Sequence, residues 1–152
     1  MITKLIQDHH QEDKVYTLYS DDADLSESGI EEIQKHLSQA DMVYMTYPIE
    51  WGSYPYSYKE TIDKLLTYGY AYEMGEQGTK GLLNKKKAKI ITTTGHPNEY
   101  YQEQLKSIHY LNRNTVLEFV GIEVTGALNI GGRHHGKTEG FPADEVTAFL
   151  KG

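Results

Sequence analysis

The chain contains no cysteine in its 152 residues. Disulfides, thiolate nucleophiles, and zinc or iron-sulfur sites built on cysteine are therefore excluded. Long apolar runs are absent too. None approaches the ~18 residues that mark a bilayer-spanning helix, and the opening Met1-Ile-Thr-Lys-Leu-Ile-Gln-Asp8 is too short and polar for a signal peptide. The expectation is a cytoplasmic protein with no membrane insertion. Positive charge is scarce, with 15 Lys and Arg against 22 Asp and Glu for a formal net charge of -7. Nonspecific nucleic-acid binding runs on Lys and Arg that displace counterions from phosphates, so nucleic acid is not an expected partner. No internal repeat, low-complexity tract or linker interrupts the sequence. A chain of this length fits one domain, spanning 1–152, and buries about two thirds of its unfolded surface.

What remains alternates in pattern. Lys14 to Tyr19 reads as a short strand, and Asp41-Met-Val-Tyr-Met-Thr-Tyr47, ending at Pro48, as a nearly continuous apolar strand buried on both faces. Between them Ser28 opens a helix in the manner of a capping box with Glu31, and Ile30, Ile33 and Leu37 recur at helical spacing. After the turn Gly52–Pro55, the segment Tyr58–Tyr68 places Ile62, Leu65 and Leu66 on one face and stops at Gly69. A long polar loop follows through Gly75 and Gly78. Ala88–Thr94 is the next strand, closed by Gly95 and Pro97. Tyr100 to Phe119 is helical in pattern, Ile122–Ile130 is the last strand, Asn129–Gly136 a loop, and Pro142 opens a terminal helix through Leu150. Strands alternating with helices imply an α/β fold, a parallel sheet covered on both faces.

In such sheets ligands bind beyond the carboxyl ends of the strands, which directs attention to Pro48–Pro55 and Gly95–Tyr101. The first offers aromatic surface and free amides, suited to a flat conjugated ligand. The second offers hydroxyls, amides, an imidazole and two phenols, donors able to stabilise negative charge on such a ring. The plainer reading is that Pro48 and Pro55 only turn the chain, Trp51 packs and Gly95 ends a strand. The adjacent pairs His9-His10 and His134-His135 lack a carboxylate at helical spacing, so no metal site is expected. Lys85-Lys86-Lys87 reads as a solvated turn, although these lysines or Arg133 could meet a cofactor phosphate.

The order of residues in Ala40-Asp-Met-Val-Tyr-Met-Thr-Tyr-Pro-Ile-Glu-Trp51, then Pro55, Lys59, Asp63, Gly69-Tyr-Ala-Tyr72, Lys85-Lys86 and Thr92-Thr-Thr-Gly95 resembles the flavodoxin-like NAD(P)H quinone oxidoreductases. The resemblance runs from about Lys14 to Ile130. It implies a three-layer flavodoxin-like sandwich that binds FMN or FAD at a homodimer interface and carries two electrons from NAD(P)H to a quinone or related small-molecule acceptor. By position, Pro48, Ile49, Glu50 and Trp51 correspond to the segment lining the flavin ring, and Thr93, Thr94, Gly95 and His96 to its second wall. Tyr101 falls at the spacing of a tyrosine near the flavin carbonyl edge. His109 corresponds, with a small offset, to a histidine that assists proton movement in some members; on its own it reads equally as a helix-surface histidine. Tyr70, Ala71 and Tyr72 correspond to the border of the nicotinamide and acceptor pocket, over which the Gly-rich loop could close. The helix Tyr58–Tyr68 would supply part of the dimer interface.

One departure matters. Members of the family begin with an apolar strand and a loop that binds the flavin phosphate, and neither has a counterpart here. Met1–His10 reads as the last turns of the helix that follows them, since the link from Ile6 to Lys14 is too short for a parallel crossover of about a dozen residues. In the sheet order 2-1-3-4-5 the missing strand would lie between Lys14–Tyr19 and the strand at Met42. The two could pair directly, a partner chain could supply a strand, or the strand could have been lost. The alternative functional reading is a non-catalytic flavodoxin-like ancillary or regulatory subunit with weakened flavin binding. A one-electron carrier fits poorly, because the Gly69–Gly78 segment resembles a substrate pocket.

Overall fold

A computed structural model describes residues 1–134 and 139–152. His135 and Gly136, which belong to the expected histidine pair and terminal loop, lie outside the described residues. Three parallel strands form the central sheet in the order β1 (Met42–Pro48), β4 (Lys87–Thr93), β5 (Glu123–Ile130). The central strand β4 is buried along nearly its whole length, whereas β5 alternates exposed and buried residues and β1, expected to be buried on both faces, is mostly half-buried because it lies at the sheet edge. Ile90 and Ile91, side by side in β4, point to opposite faces and are both fully buried.

Helices cover both faces. On one, α1 (Ile2–His9) and α5 (Ala143–Lys151) pack Ile6, Val146 and Leu150 against Ile91 and Ile130. On the other, Met45, Tyr47, Ala88, Ile90 and Val124 of the sheet meet Leu37 of α2 (Glu27–Gln39), Ile62 of α3 (Tyr56–Leu65), and Leu117 and Val120 beyond α4 (Gln102–Leu111). This is the α/β sandwich expected from the alternating pattern. No helix among the described residues is long and apolar enough to cross a membrane.

Several elements differ from expectation. Among the described residues Lys14–Tyr19 pairs with no strand, and it is not itself a strand. Its polar and aromatic side chains are used locally instead: Tyr16 stacks on His36 of α2 at 3.8 Å between ring centroids, and Thr17 accepts a hydrogen bond from Gln7. The strand β1 is accordingly an outer strand. Asp41 and Ile49 bond β4 through their backbones, so the alternate residues Met42, Tyr44 and Thr46 turn their N–H and C=O groups away from the sheet. Pro48, which lacks an N–H, ends that edge without leaving a donor. Helix α2 starts earlier than expected, with Ser26 rather than Ser28 as the cap, its hydroxyl accepting from the Gly29 N–H. Helix α3 runs Tyr56–Leu65, starting right after Pro55 and stopping before Tyr68. The expected polar loop is a hairpin, β2 (Tyr72–Gly75) paired antiparallel with β3 (Gly78–Gly81). The long helix breaks in two: α4 gives way to a π-helical turn at Asn112–Leu117. There the buried Asn112 carboxamide bonds back to the Ile108 carbonyl and accepts from the Tyr54 hydroxyl.

Candidate functional site

Because the three strands run in parallel, their carboxyl ends open at one end of the sheet. Pro48 lies opposite Thr93, which lies opposite Ile130, and the Ile49 N–H bonds the Thr93 carbonyl at 2.8 Å. The two loops singled out in the sequence therefore begin side by side. The first folds back on itself through reciprocal backbone bonds between Glu50 and Ser53, a tight turn that forces Trp51 to a positive φ of 51°. That backbone conformation is unfavourable for a bulky residue. Trp51 is fully exposed, so it does not serve as a packing residue. Beneath this turn Tyr47, Tyr54 and Tyr58 pack ring against ring, with centroids 4.9 to 5.5 Å apart. Burial raises all three phenols, Tyr54 to about 12, so they stay neutral.

The second loop is docked on the backbone that extends β5. The Thr94 N–H donates to Ile130 at 3.2 Å, Arg133 donates to the Thr94 carbonyl at 2.8 Å, and Gly132 donates to the His96 carbonyl at 2.8 Å. Gly131 is required by this approach, since a Cβ there would fall 2.5 Å from the Asn98 nitrogen. Among the described residues, the N–H groups of Trp51, Gly52, Gly95 and His96 find no backbone acceptor. Four donors and the exposed faces of Trp51, His96 and Tyr100 thus surround the junction of the loops. Such an edge of donors beside aromatic surface suits a flat conjugated ring that gains negative charge.

The remaining expected site residues fall into three groups. Tyr101 is at this end, half-buried at the start of α4, with its ring 5.9 Å from that of His96. His109 is one layer deeper. Its Nε2 lies 3.0 Å from the hydroxyl of the buried Thr92, and burial lowers its pKa. Tyr70, Ala71 and Tyr72 are at the opposite end of the sheet. Ala71 is fully buried and its carbonyl accepts from Leu82, ahead of the first residue of β4; the Tyr70 hydroxyl donates to Gln34 of α2; Tyr72 packs on Phe119. Lys85–Lys87 also lie at that far end, where β4 begins, whereas Arg133 follows β5 at the loop end. Tyr100 was one of the two phenols noted in the second loop, whereas residue types alone gave no role to Asn98 or Asn129. The visible signal was an asparagine at the end of an apolar strand before Gly131-Gly132, which reads as ordinary turn chemistry.

The sequence profile of the flavodoxin-like fold family matches residues 2–149. The chain belongs to that family. This flavodoxin-like chain is 31% identical over 94 residues to an uncharacterized NAD(P)H oxidoreductase of Haemophilus influenzae, a match covering 59% of the chain and 46% of the relative. It is 31% identical over 101 residues to an FMN-dependent NADH:quinone oxidoreductase of Hydrogenovibrio crunogenus, covering 65% of the chain and 47% of that protein. The matches thus span about half the length of these relatives. Among solved structures, the NAD(P)H:quinone oxidoreductase from Methanothermobacter marburgensis superposes with a TM-score of 0.74 at 21% identity, over 98% of this chain and 85% of that one. At that identity the likeness concerns the fold.

Proposed function

We propose that this flavodoxin-like protein is a cytoplasmic, homodimeric flavin-dependent NAD(P)H oxidoreductase that delivers two electrons to quinones or related electrophiles. The observation that carries the reading is the junction of Ile49–Trp51 with Thr93–His96, where amides with no backbone acceptor among the described residues lie in the same two loops as exposed aromatic rings. The names of the relatives from Haemophilus and Hydrogenovibrio are consistent with it, and the latter favours FMN. A bound flavin would supply the hydride and electron chemistry, and the protein orients it and tunes its charge. Trp51 and Ile49 would hold the ring face, the Gly95 and His96 amides its electron-rich edge, and Tyr101 would donate a hydrogen bond to that edge. Arg133 is the cation placed to meet a phosphate at this end. Tyr70–Tyr72 cannot reach the junction within one chain, because the length of β4 separates them. A second copy, related by a two-fold axis, would bring its own Tyr70 and Tyr72 to the loops and close the pocket.

The test is a fluorescence titration with FMN and FAD, followed by NAD(P)H-dependent reduction of a simple quinone. Quenching with turnover supports the reading. Flavin that stays fluorescent at saturating protein would instead identify a non-catalytic ancillary module. Trp51→Gly sharpens the test, since glycine tolerates the positive φ at no steric cost. We expect stability within about 0.5 kcal/mol of wild type, as for an ordinary surface change, and markedly weaker flavin binding.

A further inference from the structure

Behind the second loop lies a buried polar network that the proposed chemistry does not use directly. Asn129, only 6% exposed at the end of β5, connects three segments through its carboxamide. Its Oδ1 accepts from the Thr92 hydroxyl at 2.7 Å, and its Nδ2 donates to the Thr94 hydroxyl at 2.9 Å and to Asn98 Oδ1 at 2.7 Å. Asn98 answers by donating its own Nδ2 to the Asn129 carbonyl at 3.0 Å. Thr94 in turn donates its hydroxyl to the His96 carbonyl at 3.0 Å.

The hydrogens in this network can be placed by elimination. Thr94 spends its proton on His96 and so accepts from the amide nitrogen of Asn129. The Leu128 carbonyl lies farther off at 3.5 Å, so Thr92 gives its proton to Asn129 Oδ1 at 2.7 Å and accepts from His109, whose Nε2 lies 3.0 Å away. His109 is therefore the Nε2–H tautomer. A single direction of donation runs from His109 through Thr92 to Asn129, and from Asn129 through Thr94 to the His96 carbonyl. Bonds aligned in this way polarise one another and rigidify the segment they end on. That segment, Gly95–Asn98, carries the unpaired amides of the candidate site.

We propose that Asn129 is the positioning residue of the site: it holds the Gly95–Asn98 loop in the geometry that presents its amides to the ligand, and it ties that loop to His109 through Thr92. His109 accordingly acts from behind the loop, as part of its support. The flavin arm of this inference rests on the proposed function, while the loop arm stands on the apo protein.

The test uses Asn129→Leu, Asn129→Asp, Thr92→Val and Thr92→Ser, each first checked for a native urea transition. Amide hydrogen exchange is then read at Thr94, Gly132 and Arg133, whose N–H groups hold the loop to the end of β5, and, as an internal reference, in α5. The ring nitrogen shifts of His109 report its tautomer, and FMN titration reports binding. We expect Asn129→Asp, which keeps the acceptor and loses both donors, to speed exchange in the loop but not in α5. It should leave the His109 tautomer unchanged and weaken FMN by at least about tenfold, because two buried hydrogen bonds to the loop are lost. Asn129→Leu and Thr92→Val should also shift the His109 resonances, whereas Thr92→Ser should match wild type in every readout. Loop exchange that rises only in step with α5, or Asn129→Asp and Asn129→Leu proteins that bind FMN like wild type, would overturn the positioning role. Wild-type protein that binds no FMN would overturn the flavin reading alone, and the exchange and tautomer results would then decide the loop's support by themselves.

Discussion

At the scale of single residues, the candidate site is supported by groups that carry polar atoms into apolar surroundings. Tyr47, next to last in β1, is 4% exposed, and among the described residues its hydroxyl has no partner. A buried hydroxyl without a partner costs about 1 to 3 kcal/mol of desolvation. Tyr47→Phe removes that cost and keeps the ring, so we expect stability unchanged or raised by about 1 kcal/mol, read as a higher urea midpoint at the same slope. His109 gives a pH signature. Burial holds its folded pKa below the ordinary 6.5, so between 6.5 and the folded value the unfolded chain binds a proton that the folded chain does not. Stability is therefore complete above pH 6.5 and falls as pH drops through that window. His9 is held low in the same direction, so the slope of the wild type combines both. Urea midpoints of His109→Gln measured from pH 7 to 5 should show a shallower decline, and an identical decline would exclude the assigned burial. The place of Trp51 and Gly95 in loops at the strand ends was legible from sequence, because Pro and Gly after an apolar run mark where a strand stops. Asn129 was not, because a hub of hydrogen bonds between distant segments has no local pattern.

At the scale of elements, what could be read depended on whether an element's partner lies nearby in the chain. Met42–Pro48 and Lys87–Thr93 were legible because continuous apolar β-branched and aromatic runs have few alternatives to a buried strand. Lys14–Tyr19 has the same local pattern and still forms no strand. Strand formation needs a neighbouring ladder, and β1 keeps its outer edge unpaired instead. The hairpin β2–β3 was hidden for the opposite reason: its residues are mostly exposed and glycine-rich, and only cross-strand pairing defines it. Lys89 was read simply as part of a strand, yet it decides how the last helix ends. Its ammonium, 5% exposed, donates to the Phe149 and Leu150 carbonyls at 2.7 and 2.8 Å, filling acceptors that a helix end leaves open. Lys89→Met keeps the stem and removes both charge-assisted bonds. We expect a loss of about 2 kcal/mol, with faster amide exchange in α5 than in α2. Equal exchange in the two helices would show that the lysine merely fills space.

At the scale of the whole molecule, the separation of Tyr70 and Tyr72 from the loops means that, on the proposed function, ligand binding would depend on association. A pocket completed by a second copy binds ligand only in the dimer, so ligand and dimer would stabilise each other by mass action. Each chain carries a formal charge of -7, and two such chains repel over distances comparable to the Debye length, about 10 Å at 0.1 M salt. The rings of Trp51, Tyr56, Tyr68 and Tyr100 are exposed, and in the proposed dimer their apolar surface would work against this repulsion. Association should therefore strengthen as salt is raised, in contrast to a contact made by opposite charges. We expect sedimentation velocity to show a larger dimer fraction at about 0.3 M than at about 0.03 M salt, and a further increase when FMN is added. Tyr72→Asp places a carboxylate where the partner's ring edge would gain negative charge. It should weaken FMN binding in proportion to the lost dimer while leaving the far-ultraviolet spectrum intact. A protein that binds FMN equally well at all concentrations and sediments as a monomer would mean that the loops at the ends of β1, β4 and β5 form the complete site within one chain.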